Sequence, residues 1–243
     1  MSAAVTPTEL LIAVIARLLA GCGHVAVGAS SPIPGSGALL ARALSGDSMR
    51  ISVLGSRRHS FFTNGGVELF DLAAQGRIDA FFLGGGQIDG RGNINLVGTG
   101  QYPRTDVRWP GSFGSAYLYF LVPRVILFRE EHTRRVMVPM VDFVSAPGVS
   151  DPGIHRPGGP HALVTGLGLF AFDKDRARFR LESVHPGHTL EEVLDNTGFE
   201  FDRPQRAPVT PLPDERVLAL IRRDVRAQIA DAYPRFAATL AAA

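Results

Sequence analysis

Apolar residues fill almost every position from Leu10 to Ala20 ("LLIAVIARLLA"), with Arg17 the one charge inside the run. The run is too short to cross a bilayer, and no basic stretch precedes it and no small-residue cleavage pattern follows it. Thr6 as N-cap, Pro7 at the first helical position, Glu9 closing a capping box and Gly21 as the stop predict a helix. The pattern then changes period. "HVAVGA" (24–29) reads as a short strand, "SSPIPGSG" as a turn, "GALLARALSG" (37–46) as a helix and "MRISVLGS" (49–56) as a strand. "VELFDLAAQGRI" (67–78) has helical spacing of Leu69, Leu72 and Ala73, and "IDAFFLGGG" (78–86) is the strand after it. "RVILFRE" (124–130) and "VDFVSAPG" (141–148) read as further strands, and residues 161–187 as two antiparallel segments joined by a turn at Asp173–Asp175. Helices are expected from Thr189 and from near Pro213, with a Pro-rich connection between them. Strands alternating with helices predict an α/β fold: one domain over 1–243, an open, mostly parallel sheet with flanking helices.

Composition narrows the function classes. A chain of 243 residues with formal net charge +2 and no run of like charge gives nucleic acid little to grip, so neither nucleic acid nor membrane is expected as a partner. The single cysteine, Cys22, makes no internal disulfide, and a soluble, cytoplasmic protein is the expectation. Cys22 itself reads as a small buried residue, since no matched His and acid frame it.

The most informative stretch is "FFLGGGQIDGRGNIN" (81–95), where a strand runs into bare backbone. A dinucleotide fingerprint must open a helix directly after its strand, whereas this segment continues into more Gly, Thr and Pro; the P-loop pattern is absent too. Backbone N–H groups at the carboxyl end of a strand suit a developing oxyanion or a thioester carbonyl, and glycines let a bulky acyl group approach. Asp89, the only acid in the segment, reads as a cap for the Gly90–Gly92 backbone.

"AFFLGGGQIDGRGNINLVGTGQYP" resembles the signature of the class I coenzyme A transferase β subunit, nearest to the glutaconate-type branch. "VAVGASSPIPGSGALLA", "VDFVSAPG" and "TLEEVLDNTGFEFD" resemble further motifs of that family in its own order. The resemblance runs over roughly 7–225 and implies the class I CoA transferase subunit fold. It also implies an α subunit of the same fold as partner, in a heterodimer or α2β2 heterotetramer, and an acyl-CoA substrate. Coenzyme A then comes as part of the substrate, with no permanently bound cofactor and no metal.

One departure bears on the reaction. The transferases carry a nucleophilic Glu at the end of the third strand, and that position is Leu54 here, in "ISVLGSRR". Leucine offers no nucleophile, so acyl transfer through an enzyme thioester is expected to be lost. Glu68, on the following helix, reads as a surface residue. The branch of the family without the glutamate includes hydrolases that open a ring of steroid catabolites carried as CoA thioesters. The resemblance therefore implies C–C bond hydrolysis by water activated on a carboxylate, expected on the α subunit. The rivals are a CoA transferase with a relocated nucleophile and a non-catalytic subunit that only completes the partner's pocket.

The residues expected to line the substrate or CoA site are Gly28, Pro32, Leu54, Arg57, Arg58, Gly84, Gly85, Gly86, Gln87, Asn93, Ser112, Gly114 and Ser115. Gly84 to Gln87 would be backbone and amide donors, and Leu54 an apolar wall. Arg57 and Arg58 would meet a carboxylate or the CoA phosphates, against the alternative of a solvated loop. Ser112, Gly114 and Ser115 match a family segment that lines the same cleft. Trp109 reads as packing, and the two histidines of "HPGH" (185–188) as turn residues, too few for zinc. No Gly-x-Ser-x-Gly elbow is present.

Overall fold

The structure, a computed structural model, describes residues 4–240. In chain order its main elements are α1 (Pro7–Leu18), β1 (His24–Val27), α2 (Pro32–Leu44), β2 (Arg50–Val53), α3 (Gly65–Ala74), β3 (Ala80–Leu83), β4 (Gln87–Ile88), β5 (Ile94–Asn95), β6 (Gly98–Thr99) and β7 (Val107–Arg108). There follow α4 (Ser115–Leu121), β8 (Arg124–Arg129), β9 (Pro160–Thr165), β10 (Gly168–Asp173), β11 (Arg178–Val184), α5 (Leu190–Asn196) and α6 (Glu215–Leu220). A π-helical turn (Ile221–Val225), α7 (Arg226–Ile229) and α8 (Pro234–Thr239) complete the chain. It forms two compact units, one from the chain up to Phe82 together with the chain from Pro211 on, the other from Leu83–Thr210.

In the first unit β1 pairs in parallel with β2 (Val25↔Ile51) and with β3 (Val25↔Ala80), the expected α/β arrangement. The runs "HVAV" and "AFFL" are buried throughout and, after the hydrogen-bonded His24, apolar on both faces, as strands covered by helices must be. Helix α1 starts where the sequence places it: Thr6 accepts from the Glu9 N–H while the Glu9 carboxylate accepts from the Thr6 N–H at 2.9 Å. Helix α2, by contrast, begins at Pro32, inside the expected turn. Proline at the first helical position has its φ already set and no N–H to lose, and a Cβ on Gly37 would stand 2.4 Å from Ile15 Cγ2. Gly37, read as a turn former, is therefore the contact point where α1 and α2 approach closely, while a Cβ on Gly35 would meet Ile229 of α7 at 3.1 Å. The last long helix starts at Glu215, near Pro213 as expected, with Asp214 capping Val217 N–H at 2.8 Å. Its α-helical pattern breaks into the π turn that carries Arg222.

In the second unit β8 and β9 are parallel, while β9, β10 and β11 form an antiparallel meander. Residues 161–187 thus hold three strands rather than the expected two segments, because Gly166 and Leu167 make a tight turn that the apolar run hides. "VDFVSAPG" is likewise no strand: it is a braced loop with a single bridge, Ile94↔Ala146. Helix α5 begins at the Thr189 cap as expected, its hydroxyl accepting from Glu192 N–H at 3.1 Å.

Buried His132 ties three elements of this unit together. The Thr197 hydroxyl donates to Val193 O, so it accepts from His132 Nε2 at 2.9 Å, leaving Nδ1 to accept from the Thr165 hydroxyl at 2.8 Å. That pattern needs the neutral ring, and burial pushes the imidazole down from 6.5 to about 4. A folded value below the unfolded one contributes stability fully above pH 6.5, lost as pH falls from 6.5 toward 4, and about 3 kcal/mol in all. Urea midpoints are expected to fall between pH 7.5 and 5 by the equivalent of about 2 kcal/mol, and less in a His132→Gln variant. An equal loss in both proteins would place the acid sensitivity elsewhere.

Candidate functional site

At the first unit's sheet edge, the carboxyl ends of β1 and β2 lie side by side, and Leu54 N–H donates to Val27 O at 3.0 Å. Gly28 and Pro32 follow β1, and Leu54, Arg57 and Arg58 follow β2, so the fold gathers all five at that edge. Leu54 is half-buried, and the Arg57 and Arg58 side chains are exposed. The loop after β2 is gripped by Asp231, whose Oδ2 accepts from Ser56 Oγ at 2.7 Å, Arg57 N–H at 2.7 Å and Arg58 N–H at 3.1 Å. The Ser56 hydroxyl and these N–H groups hold the Asp231 carboxyl below its ordinary value. Nothing in the sequence near position 54 pointed to this residue. Glu68 is also engaged: its carboxylate accepts from Thr63 Oγ1 at 2.9 Å and from the Thr63 and Asn64 N–H groups, which lowers its pKa.

In the second unit the glycine-rich segment is a rigid, cross-braced loop. Asp89 Oδ1 accepts from Arg91 N–H (3.0 Å) and Asn93 N–H (3.1 Å), and its Oδ2 from Asn93 Nδ2 (3.0 Å), so the acid caps the loop at Arg91, inside the expected Gly90–Gly92 segment, and at Asn93 just beyond it. Asn93 Oδ1 in turn accepts from Gly148 N–H at 3.1 Å. A Cβ on Gly148 would stand 2.1 Å from Arg91 O, which explains why glycine ends the "SAPG" segment lying on this loop. Ser145 clasps the next strand, donating to Ile94 O at 2.8 Å and accepting from Leu96 N–H at 3.0 Å. From behind, buried Tyr119 donates its hydroxyl to Gly92 O at 2.8 Å.

Two of the expected donors turn inward. Gly86 N–H donates to Asn95 O at 2.9 Å, and the Gln87 amide donates to Asp142 Oδ2 (3.1 Å) while accepting from Asn95 Nδ2 (2.7 Å) and Asp142 N–H (2.9 Å). Their place is in the scaffold: a buried amide at Gln87 locks β4, β5 and the Asp142 loop in one register. Asn93 belongs to the same scaffold. Gly84, at the loop's start, is exposed, and a Cβ there would meet Phe128 O at 3.1 Å. Gly85 is buried, with a Cβ position 2.7 Å from Gln87 O. Gly86 lies against the Trp109 ring, 2.2 Å from where its Cβ would be, so the indole packs as expected and demands glycine beneath it.

Ser112, Gly114 and Ser115 form the turn entering α4. Gly114 takes the left-handed conformation (φ 51°), Ser115 N–H donates to Ser112 O at 2.8 Å, and the buried Ser115 Oγ has no protein partner. Among the described residues no cluster of three or more His, Cys, Asp or Glu is placed to hold a metal, and no helix is long and apolar enough to cross a membrane.

Parallel strands whose carboxyl ends lead into glycine loops define an α/β ligand-binding architecture. The Coenzyme A transferase family matches residues 5–196, and the chain belongs to that family. A glutaconate CoA-transferase chain of Acidaminococcus fermentans is 34% identical over 151 residues, which are 59% of this chain and 56% of that protein. The cholesterol ring-cleaving hydrolase IpdB of Rhodococcus jostii is 34% identical over 159 residues, 64% of this chain and 62% of that one. The matched chain thus spans less than two thirds of the length of these relatives. Among solved structures, Rhodococcus jostii IpdAB superposes with a TM-score of 0.79 at 29% identity, over 90% of this chain and 94% of that one. The decarboxylase AibA/AibB superposes with a TM-score of 0.78 at 25% identity, over 99% of this chain and 100% of that one.

Proposed function

We propose that this chain is the β subunit of a heteromeric enzyme that opens a ring of a steroid catabolite, carried as a CoA thioester, by C–C bond hydrolysis. The observation that carries the reading is Leu54 at the carboxyl end of β2, where a transferase needs a carboxylate. The acids described near that position, Glu68 and Asp231, are both engaged as loop caps with lowered pKa values, which makes them poor bases and poor relocated nucleophiles. Similarity to IpdB and to IpdAB supports the same reading, and similarity to the decarboxylase AibA/AibB is in line with a fold that serves more than acyl transfer.

In this mechanism the chain contributes shape and positioning. Leu54 offers the acyl end an apolar wall in place of a nucleophile, and in the second unit Gly84 and Gly85 offer bare backbone of the kind that a thioester carbonyl can approach. The braced loop from Asp89 to Asn95 keeps that backbone from relaxing when charge develops. Water adds to a ring ketone, the ring bond breaks with its electron pair leaving as an enolate, and a proton returns to carbon. The carboxylate that activates the water belongs to the partner subunit. Coenzyme A arrives and leaves with the substrate.

The test is turnover of a steroid-ring CoA thioester by the reconstituted pair in heavy-oxygen water, with intact β-chain mass followed alongside. Label in the ring-opened acid without a CoA adduct is the expected result. A hydroxylamine-sensitive adduct with acyl exchange to a second acid would instead identify a working transferase.

A further inference from the structure

The amino-terminal ends of β8 and β9 carry a concentration of positive charge that the reaction above does not use. Both strands start at one edge, with Val125 beside Pro160. Lys174, on the β10–β11 turn, reaches this edge and donates its ammonium to Gly158 O at 3.2 Å and Pro123 O at 3.4 Å. A Cβ on Gly159 would stand 3.7 Å from Lys174 Cε and 3.8 Å from Arg156 Nε, so the two cations flank one glycine. Arg156 lies over the Tyr119 and Phe120 rings (5.2 and 5.5 Å to the centroids), and its Nη2 donates to Tyr119 O and Pro147 O. Its Nε and Nη1 are shielded from solvent and have no acceptor. His161 is one residue into β9, close enough to Arg124 and Lys174 for both to depress its pKa after burial, the larger cause. Burial, then the charge of Arg156, lowers Lys174 as well.

No carboxylate lies within ion-pair distance of Arg156, His161 or Lys174 among the described residues; of the two acids that flank Lys174 in sequence, Asp173 is turned to the N–H groups of Asp175 and Arg176, and Asp175 makes no ion pair with the lysine. Lys174 is bound by neutral carbonyls only, and the Arg156 charge sits on aromatic faces. Several like charges held together this way repel one another, and a counter-anion relieves that repulsion.

We propose that Arg156, His161 and Lys174 form a phosphate-binding site at the amino-terminal edge of β8 and β9. Lys174 and His161 present N–H donors to the phosphate oxygens, and Arg156 adds charge from beneath. Gly84 stands against Phe128 at the other end of β8, so this site is separate from the glycine-rich strand end. The occupant is a phosphate monoester or inorganic phosphate, and coenzyme A itself is one source of such a group.

The test is titration of the full chain with inorganic phosphate, CoA and dephospho-CoA, read at the histidine ring resonances. Saturable movement and a raised pKa at His161, with His155 unmoved, is expected. Lys174→Gln is expected to weaken the effect about tenfold, the loss of one charge-assisted hydrogen bond. Should that variant unfold, the wild-type resonances still decide. CoA acting well below phosphate, and dephospho-CoA not, identifies the CoA 3′-phosphate as occupant; equal potency of phosphate and CoA identifies free phosphate. His161 and His155 moving together without saturation is charge screening, and overturns the proposal. None of these readouts depends on catalysis, so the outcome is separable from that of the proposed reaction.

Discussion

Glu9→Ala is expected to destabilise the first unit by about 2–3 kcal/mol, visible as a thermal midpoint lower by about 5–10 °C. Glu9 is fully buried and does two jobs. One oxygen closes the capping box with Thr6, and the pair together accept a bidentate bond from Arg222, Nε to Oε1 at 2.6 Å and Nη2 to Oε2 at 3.0 Å. Burial works to raise the Glu9 carboxyl, but the bonds from Arg222 and Thr6 outweigh it and hold the group below its ordinary value. The pair therefore contributes above pH 4.5, and its contribution is lost as pH falls through the folded value. Removing one partner of a buried pair costs about 3–5 kcal/mol, and the figure here is smaller because Arg222 keeps 21% of its side chain in water. Glu9→Gln retains an oxygen for the cap and so isolates the ion pair. A double-mutant cycle with Arg222→Ala that returned no coupling would show that α1 and the π turn are held by packing alone.

That pair also marks where the sequence stops being readable. The capping box is a local pattern and was legible as such. The partner of Glu9 is 213 positions away, on a π turn that an ordinary helical period conceals. The same division runs through the candidate site. Leu54, the glycine triplet and Asp89 announce themselves, because strand ends, bare backbone and a lone acid in a turn are short-range signals. Asp231 does not, since its role is to hold three donors on a loop more than 170 positions earlier in the chain. Gln87 and Asn93 were legible as special but not as scaffold: only the fold shows that Asp142, Asn95 and Gly148 face their amides. "VDFVSAPG" misleads for a related reason. Its alternation of apolar residues is that of a strand, yet Gly148 must lie on the Arg91–Gly92 backbone, and that contact sets its path. In each case a contact distant in sequence overrides a local preference.

Leu54→Glu is expected to lower ring opening by about 100-fold in the reconstituted pair, on the scale of losing one transition-state interaction. The backbone at this position is fixed by the bond from Leu54 N–H to Val27 O, so the new carboxylate starts from the end of β2, where the family's nucleophile belongs. There it offers the thioester carbonyl a nucleophile, diverting substrate from the attack of water on the ring ketone, and its charge replaces an apolar wall. A carboxylate attacking the thioester expels the CoA thiolate and leaves an acyl anhydride, which the thiolate can reopen to a glutamyl thioester. The variant is therefore expected to gain a hydroxylamine-sensitive CoA adduct on the β chain while ring opening falls. Loss of ring opening with a normal KM and no adduct would leave Leu54 a steric wall with no geometry for acyl transfer. Unchanged turnover would remove position 54 from the site, and with it the observation on which the hydrolase reading rests.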